Sequence, residues 1–529
     1  MSKNKISKLA DYVKNSSTKS CRKLAAAFNT SKSSIHRRQK KINARSGIAG
    51  AAFFETEEGQ SWILQLVVAT VLVFGIIAGI GADRLALFLS LIMVDAFVGV
   101  SPSSISRYES HLDDLIIKYK AKYDAEISSK AVDLEITPGV DETFFDKMML
   151  LVGMDLQSGF LFIEKPAAKR DHDTWKINTM PWISRFKIVR CFVTDKAKAL
   201  LKLAETAGVN RIPDLFHIMS DVSKTMKYSF HRAQKGIDKS IKSTETLIAK
   251  GVDIAKNQQI LSKLQTKFKQ VSLKQLSYQK NLRKLSTSLH PFEILSSKRQ
   301  SSVDVEKRMN ASLEKIKEIK EDLKISDTRK RLVRSQRQIP DAAKQIDLWW
   351  RWVTTSLDSA DISAERKDWL LYCLLPLVYW RTQLKKARSK RIKRFYSSSI
   401  GNALKHFESH QMTSSAEIRG PDSEWFKWAQ KMTDIFIRTT SAVEGRNGWL
   451  SQMHFNGRGL SEKRLTSQTA IHNYYLKRSD GTTACERLSG IKPDDLFEYL
   501  LSHARPLSEP RRRKIKNQRG PLNLLGVPA

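Results

Sequence analysis

The sequence predicts an α/β core built on a mixed five-stranded sheet, with helical domains before it and a large all-α insertion inside it. Two observations lead to this fold class. Apolar patterns typical of strands are confined to residues between roughly 130 and 220. Helical periodicity dominates on both sides of that region, and it continues for about two hundred residues after Ser220. A chain of 529 residues also exceeds what one compact core accommodates, so several domains are expected.

The charge balance predicts a polyanionic partner. There are 91 Lys and Arg residues against 54 Asp and Glu residues, a formal net charge of +37. Because each neutralised phosphate releases counterions, such an excess favours binding to DNA, with an anionic membrane surface as the rival. With 41% hydrophobic residues, general disorder is excluded. The four cysteines form no CxxC pair, which argues against a disulfide scaffold or a thiolate zinc site and suits a reducing interior.

Residues 1–45 carry the pattern of a helix-turn-helix domain. A short apolar helix precedes a turn at Asn29-Thr30, and a basic helix anchored by Ile35 follows. Short hydroxyl side chains and cations on a second helix suit a DNA major groove. The residues predicted to contact DNA are Lys32, Ser33, Ser34, His36, Arg37 and Arg38. A solvated basic hairpin is the alternative.

Residues 50–125 are predicted to form a second helical domain. Residues 62–80 carry no charge and are long enough to span a bilayer. Polar residues dilute this run, and a second apolar stretch follows Asp83-Arg84, so a buried helical core is expected and a membrane span is the alternative. Ser101-Pro102 should begin a further helix, on which Arg107 would contact DNA if this unit is a second helix-turn-helix. A plain three-helix bundle is the other interpretation.

Residues 130–225, completed by 430–500, are predicted to form the α/β core. The pattern along the first range is three strands, a helix, a strand, a helix and a strand. This is the order of an RNase H-like core, although other α/β domains share it. Residues 187–194 should form the fourth strand, and a fifth is expected near 212–218.

Residues 226–429 should form the helical insertion. Apolar residues between Leu261 and Leu289 step by three and four, which indicates a coiled-coil seam. We expect an intramolecular hairpin, with dimerisation as the alternative. The basic stretch from Arg381 to Arg394 is a candidate contact to the DNA backbone, and residues 501–529 are a basic tail.

Three carboxylates are the candidate catalytic residues: Asp141, Asp195 and Glu444. In an RNase H-like sheet the first and fourth strands are neighbours, so Asp141 and Asp195 would converge. Carboxylate oxygens suit Mg²⁺, or Mn²⁺ in its place. Two such ions can activate a water or a 3′-hydroxyl and stabilise the leaving oxygen of a phosphoryl transfer.

The chain resembles DDE-type insertion-sequence transposases, in particular those with a long helical insertion before the last glutamate. The resemblance covers roughly residues 130–225 and 430–500. The motifs that carry it are Gly139-Val-Asp141-Glu-Thr-Phe-Phe, Val193-Thr-Asp195-Lys-Ala-Lys-Ala-Leu, Pro213-Asp-Leu-Phe-His217 and Thr439-Thr-Ser-Ala-Val-Glu444-Gly-Arg-Asn447-Gly, with Arg458-Gly-Leu, Ala470-Ile-His-Asn473-Tyr and Arg478-Ser-Asp-Gly481-Thr-Thr downstream. The gap of 249 positions between Asp195 and Glu444 is far longer than in compact members and requires the insertion.

The resemblance implies that Asp141, Asp195 and Glu444 hold two Mg²⁺ ions and catalyse DNA cleavage and strand transfer. Arg446 and Asn447 would contact DNA or cap a neighbouring element. The implied partners are double-stranded DNA, as terminal inverted repeats and target, and further copies of the chain on that DNA. A bacterial cytoplasmic, nucleoid-associated location without a membrane follows. The alternatives are a DNA-binding protein on a catalytically inactive transposase scaffold and a membrane-associated protein.

Overall fold

The computed structural model describes residues 20–27, 29–45, 48, 51–145, 148–414, 423–457 and 460–510. Within these residues helices dominate, and the strands fall between Glu135 and Pro213. Five of these strands form one mixed sheet. The predicted mixed five-stranded sheet is therefore present, and the many helices around it agree with a broad α/β fold.

Two short helices begin the described chain, α1 (Cys21–Ala27) and α2 (Lys32–Arg45). The turn between them includes Asn29 with φ +46°, a conformation that asparagine tolerates better than most residues. Leu24 of α1 packs on Ile35 of α2, and both side chains are buried. Ile35 is thus the anchor that the sequence predicted.

The helices that precede the sheet pack together with it. They are α3 (Ala51–Phe54), α4 (Glu57–Thr70), which continues as a π-helical segment (Val71–Ile77), α5 (Ala82–Leu91) and α6 (Pro102–Lys130). Ser101 caps α6, as expected, by accepting from the Ser104 backbone N–H at 3.3 Å. One continuous hydrophobic core joins these helices to the sheet, so residues 50–125 do not bury their apolar faces separately.

The apolar segment Glu57–Ile77 is, among the described residues, the one helix long and apolar enough to cross a membrane by length and composition. Its most apolar window has a mean hydropathy of 2.0 and is 44% buried within the protein. Its last turn also binds polar side chains, since Arg464 Nη1 donates to the Gly75 carbonyl at 3.3 Å and Gln468 donates to the Ile76 carbonyl. Both carbonyls lie in the last turn of the helix, where main-chain acceptors are accessible to donors from outside it.

The sheet combines antiparallel and parallel pairing. Its strands, in spatial order, are β4 (Leu161–Pro166), β3 (Met148–Asp155), β2 (Pro138–Phe145), β6 (Phe192–Thr194) and β7 (Arg211–Pro213). The first three are antiparallel neighbours, whereas β2, β6 and β7 run parallel. The helices α7 (His172–Ile183) and α8 (Lys198–Thr206) make the crossovers.

Two predicted strands are shorter than expected. The run at 187–194 is broken into β5 (Ile188–Val189), which pairs with β1 (Glu135–Ile136) outside the main sheet, and β6. The strand expected near 212–218 ends at Pro213, because Asp214 caps the next helix by accepting from the Phe216 backbone N–H at 2.8 Å. His217 therefore lies on a helix and not on a strand.

The insertion begins with an antiparallel hairpin of two long helices, α9 (Leu215–Ala249) and α10 (Ile254–Ser288). The rings of Phe230 and Tyr278 lie 5.4 Å apart, and Gln234 Nε2 donates to Gln275 Oε1 at 2.8 Å. The two helices therefore pack against each other within the same chain. The remaining helices are α11 (Ser302–Asp322), α12 (Arg331–Asp358), α13 (Ala364–Trp369), a π-helical turn (Leu370–Leu374), α14 (Leu375–Lys386), α15 (Lys390–Ser409) and α16 (Glu424–Asp434). They enclose a core of their own, rich in buried tryptophan.

The chain then returns to the sheet through α17 (Ser441–Gly457), α18 (Glu462–Tyr474), α19 (Ala484–Ser489) and α20 (Leu496–His503). Asn473 of α18 both donates to the Leu161 carbonyl and accepts from the Leu161 backbone N–H, each at 2.9 Å. This pair extends the edge strand β4 with a side chain, and it fixes the returning helices against the sheet.

Candidate active site

Two of the predicted catalytic aspartates lie at the same level of neighbouring parallel strands. Gly139 of β2 pairs with Val193 of β6. Asp141 stands two residues beyond Gly139, and Asp195 stands two beyond Val193. Asp141 lies within β2 and Asp195 directly follows β6, so both stand on the same side of this pairing along the strand direction. The 54 positions between them are thus bridged by one strand pairing.

Asp141 is buried, with 9% of its surface exposed. Burial raises its pKa, and the negative charges of Glu444 and Asp195 raise it further against the opposing charge of His217, to about 7. Its Oδ2 accepts a hydrogen bond from Asn447 Nδ2 at 3.1 Å. Three carboxylates from distant parts of the sequence therefore interact beside the interior strands β2 and β6. The negative form of Asp141 is unfavourable there.

A fourth aspartate holds the parts of the site together. Asp214 is fully buried directly after β7, and its carboxylate accepts from the Thr440 backbone N–H at 3.2 Å and from the Thr440 hydroxyl. The next residue, Leu215, donates its backbone N–H to the Arg438 carbonyl at 3.0 Å. These bonds fasten the segment before α17 to the end of β7, and they bring Glu444 to the sheet across the whole insertion.

His217 joins the two sides of the site. Its Nδ1 lies 2.9 Å from Asp214 Oδ2, and its Nε2 lies 3.8 Å from Glu444 Oε1. Although burial lowers the pKa of His217, the hydrogen bond to Asp214 and the charges of Asp214, Asp141 and Asp195 outweigh it and raise the pKa to about 9. The imidazole is therefore cationic near neutral pH, and it neutralises part of the negative charge of the carboxylates.

Glu444 lies in the first turn of α17, with its side chain 30% exposed. Its backbone N–H donates to the Thr440 carbonyl at 3.0 Å, so the residue that Asp214 holds also begins the helix. Burial raises the pKa of the Glu444 carboxyl, while the charge of His217 lowers it. Asp195 is half-buried, and its Oδ1 accepts from the Ala197 backbone N–H at 2.9 Å.

Arg446 has a different role from the predicted DNA contact. Its guanidinium is buried and donates to both oxygens of Glu164 on β4, at 2.6 and 2.7 Å. Thr469 adds a third donor to Glu164 at 2.7 Å. In this geometry Arg446 holds α17 on the sheet, because its donors are directed into the protein and away from any phosphate.

Asn447 also faces inward, since it is buried and donates to Asp141. Its Oδ1 has no hydrogen-bond partner among the described residues. The sequence marked Asn447 as a DNA contact or a cap, whereas the structure places it on the first catalytic candidate. Glu164 gave no signal in the sequence, because a carboxylate within a strand shows no partner until the sheet and α17 come together.

The predicted groove-reading residues lie on the surface of α2. Lys32, Ser33, His36 and Arg37 are exposed, and Ser34 is half-buried. The side chain of Arg38 lies outside the described residues. Arg107 is exposed on α6, where its Nε donates to the Ser103 carbonyl at 3.1 Å. The structure thus leaves the described cations of this set accessible to a partner.

The donor set suits Mg²⁺, because Asp141, Asp195 and Glu444 offer only oxygen ligands. Their negative charges repel one another, and a bound cation would relieve that repulsion. Among the described residues, however, no group of three or more His, Cys, Asp or Glu side chains is already closed into a metal-ligand arrangement. The residue types therefore fit the ion, whereas the described side chains are not arranged as a complete set of metal ligands.

Comparison with known families yields one match. The profile of a family of unknown function (DUF6399) matches residues 370–516. This range includes Glu444, Arg446 and Asn447, but neither Asp141 nor Asp195. No curated protein matches the chain.

Proposed function

We propose that the chain is a metal-dependent DNA strand transferase of the DDE transposase type with an RNase H-like core. The observation that carries the proposal is the convergence of three carboxylates. The pairing of β2 with β6 brings Asp141 and Asp195 to neighbouring strands. Helix α17, which carries Glu444, is held beside Asp141 by the hydrogen bond from Asn447 at 3.1 Å. Carboxylates that repel one another are not expected to gather in a folded protein unless a function requires them. The neighbouring positions of β2 and β6, the first and fourth strands of the five-stranded sheet along the chain, agree with an RNase H-like sheet.

Asp141, Asp195 and Glu444 would hold the metal. Mg²⁺ bound there supplies activation of a water or 3′-hydroxyl and stabilisation of the leaving oxygen in phosphoryl transfer. The protein positions the carboxylates: Asn447 fixes one oxygen of Asp141, and Asp214 holds His217 close to Glu444. His217, as a cation, also limits the repulsion within the site before a metal enters.

The remainder of the chain supports DNA as the substrate. The net charge of +37 supplies affinity for phosphates that does not depend on sequence. The exposed residues Lys32, Ser33, His36 and Arg37 stand on the second of two helices joined by a tight turn, a composition and spacing suited to a major groove. We infer that this unit recognises the element ends.

The test is cleavage in Mg²⁺ of labelled DNA that carries the ends of the encoding element. Glu444→Gln, Asp141→Asn and Asp195→Asn should each reduce cleavage by at least about a hundredfold while DNA binding persists. Combining them should be far less than additive, because all three act through one centre. Asp173→Asn is the matched control, since its side chain is 86% exposed and lies on α7.

If all three single variants cleave DNA at nearly the wild-type rate, the proposed triad is refuted. If the wild-type protein binds the ends but never cuts them under any divalent metal, the chain is a DNA-binding protein on an inactive transposase scaffold. The contribution of α2 is tested separately. Deleting residues 1–45 should abolish the preference for element ends and leave salt-sensitive binding to other DNA.

A further inference from the structure

The base of the α9–α10 hairpin carries exposed cations that the candidate active site does not use. On α9, Lys227 and Lys235 follow Lys224 by three and eleven residues, which places the three cations on one face of the helix. All three are exposed, and Tyr228 is 70% exposed. The sequence between Asp221 and Asp238 contains no acidic residue. This face of α9 is therefore cationic.

That face begins beside the candidate active site. Lys224 stands two helical turns after His217, on the same side of α9. Its charge also lowers the pKa of Glu444, against the larger effect of burial. Lys224 therefore lies within electrostatic reach of the carboxylate that we place in the catalytic centre.

The second helix of the hairpin adds cations at the same level. The Phe230 to Tyr278 and Gln234 to Gln275 contacts fix the antiparallel register, which puts Lys224 level with Lys284 of α10. Arg438 Nη1 donates to the Leu289 carbonyl at 3.3 Å, so the end of α10 is fastened to the segment that leads to Glu444. Both helices of the hairpin thus flank the site at their base.

A third helix crowds this region with further positive charge. Burial and the charge of Arg391 on α15 both lower the pKa of the Arg283 guanidinium on α10. The segment from Arg381 to Arg394 contains eight Lys and Arg residues and no acidic residue. In the part of the chain that the structure describes, Lys386 is the one cation of this segment with an ion-pair partner, Asp434 at 3.5 Å.

Cations that outnumber the nearby carboxylates repel one another in the free protein, and a bound anion relieves that repulsion. From Lys224 to Lys235 the helix rises about 16 Å, which is roughly five base-pair steps of duplex DNA. We propose that Lys224, Lys227, Arg283, Lys284 and Arg391, here called the hairpin-base cations, bind the phosphate backbone of double-stranded DNA next to the reacting phosphodiester. The Tyr228 hydroxyl offers a further donor of a kind common at phosphates. This inference rests on the proposed function for its account of the neighbouring site.

The experiment measures binding of a mixed-sequence DNA duplex by fluorescence anisotropy over a series of KCl concentrations. Two double variants are compared, Lys224→Gln with Lys227→Gln, and Arg283→Gln with Arg391→Gln. Each should reduce the slope of log K against log[KCl] by about 2, because each removes two phosphate contacts. The control, Lys242→Gln with Lys250→Gln, loses the same net charge at the far end of the hairpin and should keep nearly the wild-type slope.

Equal slopes in the control and in both double variants would overturn the inference, as would a wild-type protein that binds no duplex. Anionic phosphatidylserine vesicles form the other arm. If the hairpin-base cations govern vesicle binding but not DNA binding, the partner is a membrane and the inference fails. The thermal unfolding midpoints of the lysine variants should equal that of the wild-type protein, since those side chains are exposed. The midpoint of the variant at half-buried Arg283 shows whether it is folded before its slope is compared.

The same variants separate this inference from the proposed function. If the slope falls as expected but the wild-type protein cuts no DNA, the phosphate surface stands and the proposed catalysis fails. If Glu444→Gln abolishes cleavage while the double variants keep the wild-type slope, the proposed catalysis stands and the hairpin-base cations do not contact DNA.

Discussion

Helix α17 presents two charged side chains to the sheet, and the sheet receives them in opposite ways. Arg446 meets Glu164, which accepts both of its N–H donors and a third from Thr469. Glu444, two residues earlier, faces a region that already holds Asp141 and Asp195, with His217 as the nearby cation. A fully paired charge serves the fold, whereas a group of like charges costs stability and indicates a function that requires them.

Removing the paired cation should have the largest effect on stability. Arg446→Met leaves Glu164 buried without its main partner, and we expect a loss of about 3–5 kcal/mol in the free energy of unfolding. Urea denaturation measures it. In the double variant with Glu164→Leu the loss should be mostly recovered, because neither charge is then buried alone. A single variant as stable as the wild-type protein would show that the pair contributes nothing.

Removing a like charge should have the opposite sign. Asp141→Asn should raise the free energy of unfolding of the metal-free protein by about 2–4 kcal/mol at pH 8. The folded-state pKa of about 7 exceeds the ordinary value of 3.8, so the folded protein holds the proton more tightly. Stability of the wild-type protein should therefore fall as the pH rises from about 4 to 7, and the advantage of the variant should vanish below about pH 4.

Asp155 is the matched control for that measurement. It is also buried, at the end of β3, but its carboxylate accepts from the backbone N–H groups of Thr137 and Ser158, both at 2.8 Å, and from the Ser158 hydroxyl. Asp155→Asn would turn an amide N–H group toward one of these donors, so it should lower stability by about 1–2 kcal/mol. An equal gain in the free energy of unfolding in both variants would mean that burial alone, and not the neighbouring carboxylates, raises the pKa of Asp141.

The smallest expected change in stability is at Asn447. Asn447→Ala removes the donor to Asp141 together with a buried Oδ1 that lacks a partner among the described residues, so stability should change by less than about 1 kcal/mol. Cleavage should fall on the order of tenfold, because Asp141 is less well positioned. The pH dependence of the cleavage rate should shift to higher pH, since the pKa of Asp141 rises without this hydrogen bond. An unchanged profile would limit Asn447 to packing.

Local sequence patterns were enough to predict several secondary-structure elements. Contacts between distant segments could be identified only in the folded chain. The turn at Asn29-Thr30, the cap at Ser101 and the seam of α10 follow from neighbouring residues, and the structure has all three. The strand predicted at 212–218 was too long, because the apolar run continues through Leu215 and Ile218 as the buried face of α9. Apolar residues alone do not distinguish a short strand followed by a helix from one longer strand.

The sequence by itself determined the α/β class, the helical hairpin, the excess of positive charge and the three carboxylates worth testing. These follow from periodicity, composition and short motifs, all of which act over a few neighbouring residues. Only the tertiary structure decided that Arg446 pairs with Glu164, that Asn447 holds Asp141 and that Asp214 fastens Thr440. Each of these contacts joins residues more than two hundred positions apart. Their chemistry depends on burial and on the neighbouring charge, neither of which is fixed until the insertion folds and returns α17 to the sheet.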